Sequence, residues 1–219
     1  MQFQPPRAGA LLPLLLTLLL CQPLLAKKEF VAPEVHSAAT YPAHDAHPDE
    51  KVTIAIDPHD TAQKSSIFTV HYADAGVVPV RLIVTNDGDR PISLTSMHIE
   101  LITAHRSKLT PLDADDLYRR LSKPSRNDRP TVPPLPLPRR KIKGGISPEM
   151  RDEIQNAQFA AKAVEPHSTQ AGFLFFDVRD ISDPLAGAEL DITKVHNSQG
   201  GELMFFEIPF DAYFHAATR

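Results

Sequence analysis

Alternating apolar and polar positions begin near Lys51 and recur along most of the remaining chain. The alternating runs lie at 52–56, 68–72, 80–84, 91–103, 159–164, 172–178, 189–195 and 203–208. Successive side chains of a β-strand point to opposite sides of a sheet, so a period of two indicates half-buried strands. The runs are short, turn residues separate them, and strands do not alternate with helices. We therefore predict a mainly β fold, an antiparallel β-sandwich of seven or eight strands.

Local details of these runs predict how some strands are placed. Asn86-Asp87-Gly88-Asp89 tolerates positive φ, which predicts a hairpin that pairs the strands on either side of it. The parity of apolar positions changes at Thr95-Ser96, where we expect a break in the second of these strands. The four residues from Phe173 to Phe176 are all apolar, which indicates a strand buried on both faces at the centre of a sheet.

The strand pattern stops between residues 106 and 157, which we predict to be an insertion in a domain of residues 51–219. Thr110-Pro111 with the acids that follow, and Ser147-Pro148, are typical helix starts. Between them, Pro130 to Pro138 indicates an extended polyproline segment. The insertion is thus predicted to be helical, basic and Pro-rich.

The first 26 residues have the composition of a secretory signal peptide. Arg7 precedes a leucine-rich stretch that is too short to span a bilayer comfortably, and Ala26 provides a small residue for cleavage. We predict an exported protein, periplasmic or extracellular, whose mature chain begins at Lys27 and has no membrane span. A lipid anchor at Cys21, the single cysteine, is the alternative. Residues 27–50 are rich in His, Pro and Ala without a period, which predicts a disordered arm.

Two stretches resemble the immunoglobulin-like, telokin-type β-sandwich domains of small secreted bacterial proteins and lipoproteins. One is Val80 to Leu94, a strand that enters and leaves the Asn-Asp-Gly-Asp turn. The other is Val164 to Val178, in which a proline turn, Ser168, Gly172 and an aromatic strand follow one another. The resemblance implies an immunoglobulin-like fold and a binding or assembly role without catalytic residues. The long insertion departs from the compact form of that family.

Nine cations and a single acid, Asp128, make residues 119–143 strongly basic; we call this stretch the basic segment. A flexible cationic segment is attracted to anionic surfaces, so an envelope protein, an anionic glycan or a lipid surface is the expected partner. The alternative is a solvated linker that binds nothing. The candidate partner-binding residues are Arg119, Arg120, Lys123, Arg126, Arg129, Arg139, Arg140, Lys141 and Lys143.

Other chemistry is less well indicated. His36, His44 and His47 could ligate a metal in an export protein that uses its N-terminal arm, although their spacing matches no known motif. Scattered carboxylates such as Asp177, Asp180 and Asp183 leave a glycan hydrolase as a second alternative. The sequence contains no serine elbow, P-loop, zinc-protease helix or dinucleotide-binding turn, so no catalytic residue and no cofactor are predicted. A net charge of −4 argues against nucleic acid as a partner.

Overall fold

The computed structural model describes Gln2, residues 29–122 and residues 146–217, and within these residues the chain is mainly β. In chain order the strands are β1 (Ala43–His47), β2 (Val52–Pro58), β3 (Val77–Asn86), β4 (Ile92–Ser93), β5 (His98–Ile102), β6 (Lys108–Leu109), β7 (Ala163–Val164), β8 (Ser168–Asp177), β9 (Glu189–Thr193), β10 (His196–Asn197) and β11 (Phe206–Pro209). The helices are α1 (Ala62–Ser65), α2 (Ala114–Leu121), α3 (Pro148–Ala157) and α4 (Asp211–Ala217), with 3₁₀ turns at Ala38–Thr40 and Tyr72–Ala75.

The strands pair antiparallel, as predicted, but the described residues form eleven strands in three sheets where seven or eight strands were predicted. The first sheet has the order β1-β2-β3-β8, the second β10-β4-β7 and the third β11-β9-β5-β6. Inward side chains of all three sheets form one large cluster, the first core, which includes Ile54, Leu82, Leu174, Leu101 and Ile192. Removing this apolar surface from water stabilises the fold by about 25 cal/mol per Å². The number and pairing of the strands confirm the mainly β prediction.

A second core covers the opposite, outer face of the first sheet. Phe173 and Phe175 of β8 point away from the first core and pack with Leu117 of α2 and Ile154 of α3. Both faces of β8 are apolar for this reason, while the strand itself lies at the end of its sheet. The prediction of a central strand is wrong, because helices rather than neighbouring strands bury its second face.

Single hydrogen bonds occupy part of the outer edge of β8. The Phe159 N–H donates to the Phe173 carbonyl at 2.9 Å, and the Leu112 N–H donates to the Phe175 carbonyl at 2.7 Å. Gly172 allows this approach, since a Cβ at that position would lie 2.5 Å from the Cα of Phe159. The segments that flank the helices are thereby attached to the sheet that the helices cover.

The two helices predicted in the insertion are confirmed. The side chain of Asp113 accepts the Asp116 N–H at the start of α2, and the Ser147 hydroxyl accepts the Met150 N–H at the start of α3. Both helices belong to the second core, and β6 also falls within the predicted insertion. The remaining part, residues 123–145 with the polyproline stretch, lies outside the described residues.

The predicted disordered arm is wrong for residues 29–50. Strand β1 pairs with β2 from Ala43↔Ile56 to His47↔Val52. Upstream of it, the buried Arg81 of β3 donates from its guanidinium to the carbonyls of Pro33 at 2.8 Å and Glu34 at 3.1 Å. Ala38 is fully buried, and its N–H donates to the Thr85 hydroxyl at 2.8 Å. Residues 33–38 carry no period because side chains of β3, and not a neighbouring strand, hold them in place.

Two predicted strand arrangements are also wrong. Residues 68–72 form bends and a 3₁₀ turn, because the N–H groups of Thr69 and Val70 donate to the buried Glu153 carboxylate instead of to a neighbouring strand. The turn after β3 does not lead into a strand that pairs with β3, since β4 joins the second sheet and β5 the third. The Asn86 amide holds the chain where it passes from the first sheet to the second, because it donates to the carbonyls of Arg90 and Val164. The predicted break at Thr95-Ser96 is confirmed as a turn between β4 and β5.

Apart from Gln2, the predicted signal peptide lies outside the described residues. Among the residues that are described, no helix is long and apolar enough to cross a membrane.

Candidate binding face

The outer face of the third sheet carries a row of carboxylates. Glu100 of β5 and Glu207 of β11 both lie directly opposite Asp191 of β9, one on each side. Like charges opposite each other on neighbouring strands destabilise a sheet. This row therefore disfavours the isolated fold while it concentrates negative potential on one surface.

Asp191 lies in the middle of the row. Burial raises the pKa of its carboxyl above the ordinary value, and the carboxylates of Glu189 and Glu207 raise it further. Its Oδ1 atom is buried and accepts no hydrogen bond from any residue in the described part of the chain. A cation brought close to this row would relieve the charge repulsion.

Glu100 is paired within the chain, in contrast to Asp191. The Lys108 ammonium lies 2.7 Å from its Oε2, and the His98 Nε2 lies 3.6 Å from its Oε1. The Lys108 contact lowers the pKa of Glu100, and the same contact raises the pKa of Lys108. The local excess of negative charge is therefore centred on Asp191 and its neighbours on β9 and β11.

Two consecutive apolar side chains lie at the end of this row. Met204 is 67% exposed and Phe205 is 54% exposed. The loop that carries them is held in place, because the Met204 N–H donates to the Glu50 carboxylate at 3.1 Å and the Lys194 N–H donates to Glu202 at 3.0 Å. Phe205 immediately precedes Phe206, the first residue of β11, so the exposed pair lies at the end of the strand that carries Glu207.

We call the surface formed by these residues the binding face. Its members are Glu100, Asp191, Met204, Phe205 and Glu207. It combines negative charge, an unpartnered carboxylate oxygen and an exposed apolar pair on a braced loop. Such a surface is suited to a partner that presents both cations and apolar groups.

A polar cleft of about 270 Å³ opens beside the loop, between three interstrand turns. Lys51 and His167 each lie 3.2 Å from a carboxylate oxygen of Asp89. Lys51 lowers the pKa of Asp89. The Asn197 carboxamide accepts the N–H groups of Gln199 and Gly201 and so holds the turn in one shape. The cleft is thus lined by turns that are rigid but exposed.

The three histidines proposed as metal ligands are not brought together by the fold. His36 is exposed in the N-terminal segment, and His44 Nδ1 lies 2.6 Å from the Tyr41 carbonyl. The two ring nitrogens of His47 lie 3.3 Å from Asp45 and 3.0 Å from Glu50. Within residues 29–122 and 146–217, no group of three or more potential ligands is placed to hold a metal ion.

His47 instead joins the first sheet to the third. Its ring stacks on Phe206 of β11 with 4.0 Å between centroids. Asp45, one of its two carboxylate neighbours, also accepts the Glu207 N–H at 3.0 Å. The histidine and its carboxylates therefore close the gap between β1 and β11.

Only two of the nine candidate basic residues fall within the described chain, and they differ. Arg119 is exposed and pairs with Asp116 on the same helix. Arg120 is buried, with 8% of its side chain exposed, and its Nη2 lies 2.9 Å from Asp177. As a free partner-binding cation, Arg120 is a wrong prediction, because the second core encloses it. The other seven, Lys123, Arg126, Arg129, Arg139, Arg140, Lys141 and Lys143, lie outside the described residues.

The carboxylates considered for glycan hydrolysis have separate surroundings. Asp177 pairs with Arg120 and, at 3.4 Å, with Arg179. Asp180 and Asp183 are exposed residues with positive φ in the loop that leads to β9.

Sequence reasoning overlooked the residues of the binding face. The signal was present, because Glu189, Asp191 and Thr193 alternate with buried Leu190 and Ile192 and so predict an acidic outer face. The alignment of Asp191 with Glu100 and Glu207 requires the order of the strands, which the alternation does not contain.

No family model matches the chain, and no curated protein sequence matches it. A crystal structure described as a conserved hypothetical protein from Bacillus anthracis is similar to it at 10% sequence identity, over 73% of this chain and 87% of that chain, with a TM-score of 0.29. At that TM-score the similarity carries no argument about fold or function.

Proposed function

We propose that this chain is an exported, non-catalytic binding module, an immunoglobulin-like β-sandwich that contacts a protein partner through the binding face. The first core, which joins the inward side chains of the first and third sheets, supports the sandwich. The antiparallel pairing of all named strands is compatible with it. Residues 1–26, with their export-signal composition, support export.

The observation that carries the proposal is the exposure of Met204 and Phe205 beside a row of carboxylates. Large apolar side chains contribute nothing to folding where they remain in water, and adjacent exposed ones mark interaction sites. Aromatic residues on a pre-ordered loop lose little entropy when they bind. The hydrogen bond from Met204 to Glu50 provides that order.

The proposal is tested by capture from the cell envelope. A tagged chain from Lys27 is incubated with an envelope extract of the source cell, alongside a Met204→Ser/Phe205→Ser variant. We expect one defined protein to be recovered by the wild type, with about tenfold less recovered by the variant, because the apolar contact is lost. Quantitative mass spectrometry of the eluates measures the ratio.

The matched control removes two exposed apolar side chains elsewhere. Val31 and Val35 are 73% and 44% exposed in the N-terminal segment, so Val31→Ser/Val35→Ser changes hydrophobicity without touching the binding face. Recovery should equal that of the wild type. Equal recovery by the Met204/Phe205 variant would contradict the proposal, as would eluates without any specific protein.

A further inference from the structure

The binding face has two requirements that residues 29–122 and 146–217 leave unmet, and the inference drawn from them rests on the proposed function. Asp191 and Glu207 lie opposite each other on β9 and β11 and repel each other. Met204 and Phe205 keep more than half of their surface in water. The occupant that satisfies both carries cationic donors close to apolar groups.

The chain itself contains such an occupant in its basic segment. Three cations at 123–129 and four at 139–143 flank the sequence Val132-Pro133-Pro134-Leu135-Pro136-Leu137-Pro138. Arg and Lys supply only donors to carboxylates, and proline-rich chains dock on exposed aromatic rings. Charge and apolar character are therefore complementary to the binding face in two independent ways.

We propose that the binding face of one chain binds residues 123–143 of a second copy, so that the protein assembles head to tail. The cations of the basic segment pair with Asp191 and Glu207, and its Pro–Leu centre covers Met204 and Phe205. An interface between two different surfaces of the same chain leaves one of each free in a dimer. Assembly can therefore continue beyond two copies.

The positions of the two surfaces favour binding between copies over binding within one. Helix α2 ends at Leu121 and α3 begins at Pro148, so they precede and follow residues 123–143, and both pack on the outer face of the first sheet in the second core. The carboxylate row lies on the outer face of the third sheet, with the first core between the two faces. The helices that precede and follow residues 123–143 thus lie on the opposite side of the first core from the carboxylate row.

Analytical ultracentrifugation of the chain from Lys27 tests the inference. At low ionic strength, about 0.05 M, the wild type should form species whose mass rises with concentration, and about 0.5 M salt should dissolve them. A face variant, Asp191→Asn/Glu207→Gln, should raise the dissociation constant about tenfold or more. A segment variant replaces the seven cations of residues 123–143 with glutamine and should raise the dissociation constant by a similar factor. The substituted residues are Lys123, Arg126, Arg129, Arg139, Arg140, Lys141 and Lys143.

Mixing the two variants gives the decisive result. Each is expected to be monomeric alone, yet the face of the segment variant and the basic segment of the face variant are intact. The mixture should therefore form a heterodimer and nothing larger. A wild type that remains monomeric at its highest soluble concentration would overturn the inference, and this is also the result if the segment binds its own chain. Association that survives in both variants would overturn it as well.

A matched control changes net charge equally on other surfaces. Glu34 and Glu165 are exposed and lie away from the carboxylate row, so Glu34→Gln/Glu165→Gln should associate as the wild type does. The two proposals fail separately. A monomeric wild type that still captures a different envelope protein through Met204 and Phe205 would remove self-assembly and leave the binding module intact.

Discussion

The outer face of the first sheet is covered by other parts of the chain, whereas the outer face of the third sheet is exposed. On the first sheet, Phe173 and Phe175 are buried by helices and by the N-terminal segment, which Arg81 fastens through main-chain carbonyls. On the third sheet, Asp191 and Glu207 face outward with no such cover among the described residues. The covered face satisfies Glu153 and Arg81 internally, although the Tyr118 hydroxyl and the Arg120 Nε have no hydrogen-bond partner among the described residues. The uncovered face retains a repulsion between Asp191 and Glu207 that a cation from a partner would relieve, which is why we place the partner there.

The largest effect is expected from breaking the covered face at Glu153. This buried carboxylate accepts the N–H groups of Thr69 at 2.7 Å and Val70 at 3.1 Å and the Tyr72 hydroxyl at 3.3 Å. Glu153→Ala leaves buried donors unmatched, so we expect the free energy of unfolding to fall by about 3 kcal/mol. Urea unfolding followed by circular dichroism measures it. Asp152→Ala, an exposed neighbour on α3, serves as the control and should change stability little.

Arg81 provides the next largest effect, because it fastens the N-terminal segment to the same face. Arg81→Met keeps the apolar stem but removes three hydrogen bonds to the carbonyls of Pro33 and Glu34. We expect a loss of about 2 kcal/mol and faster amide exchange at Ala38, whose N–H donates to Thr85. Hydrogen exchange by mass spectrometry detects it. Arg90→Met, at an exposed site, should leave exchange at Ala38 unchanged.

A substitution at Gly172 tests whether the fold needs the segment around Phe159 that is attached to the edge of β8. A Cβ there would meet the Phe159 backbone at 2.5 Å, so Gly172→Ala must displace the hydrogen bond from Phe159 to Phe173. We expect destabilisation of about 1–2 kcal/mol, in the range of an overpacked core. Thermal unfolding measures it. The same substitution at Gly200 meets no atom within 4 Å but has a φ of +82°, so it separates backbone strain from steric contact.

The smallest effect is expected on the uncovered face, where a substitution should raise the free energy of unfolding instead of lowering it. Asp191→Asn removes a repelled charge, so we expect the variant to be about 0.5 kcal/mol more stable than the wild type at neutral pH. The folded pKa of Asp191 is raised, so the native state binds its proton more tightly than the unfolded state does. The wild type therefore recovers stability as the pH falls through that raised pKa, and the gain in the variant disappears near the ordinary value of 3.8. Unfolding at a series of pH values checks this; a variant less stable at neutral pH would contradict it.

Features that depend on neighbouring residues could be predicted from the sequence. Ser147 followed by Pro148 predicts the start of α3, since the cap bond spans only three residues. The alternation from Val52 to Ile56 predicts β2 for the same reason, because every second side chain of the strand is a large apolar group that enters the first core. Features that depend on distant partners could not be predicted. Residues 68–72 have the alternation of a strand, but their N–H groups bind Glu153, which is 84 residues from Thr69.

The sequence by itself determined that this chain is mainly β, where most long strands lie and how the helices begin, because those properties follow from periods and caps within a few residues. Only the tertiary structure decided which sheet each strand joins. It turned the apparent arm into part of the first sheet and placed Glu100 and Glu207 on either side of Asp191. The physical reason is that strand order and side-chain satisfaction are set by contacts between residues far apart in the chain, and a local pattern carries no record of them.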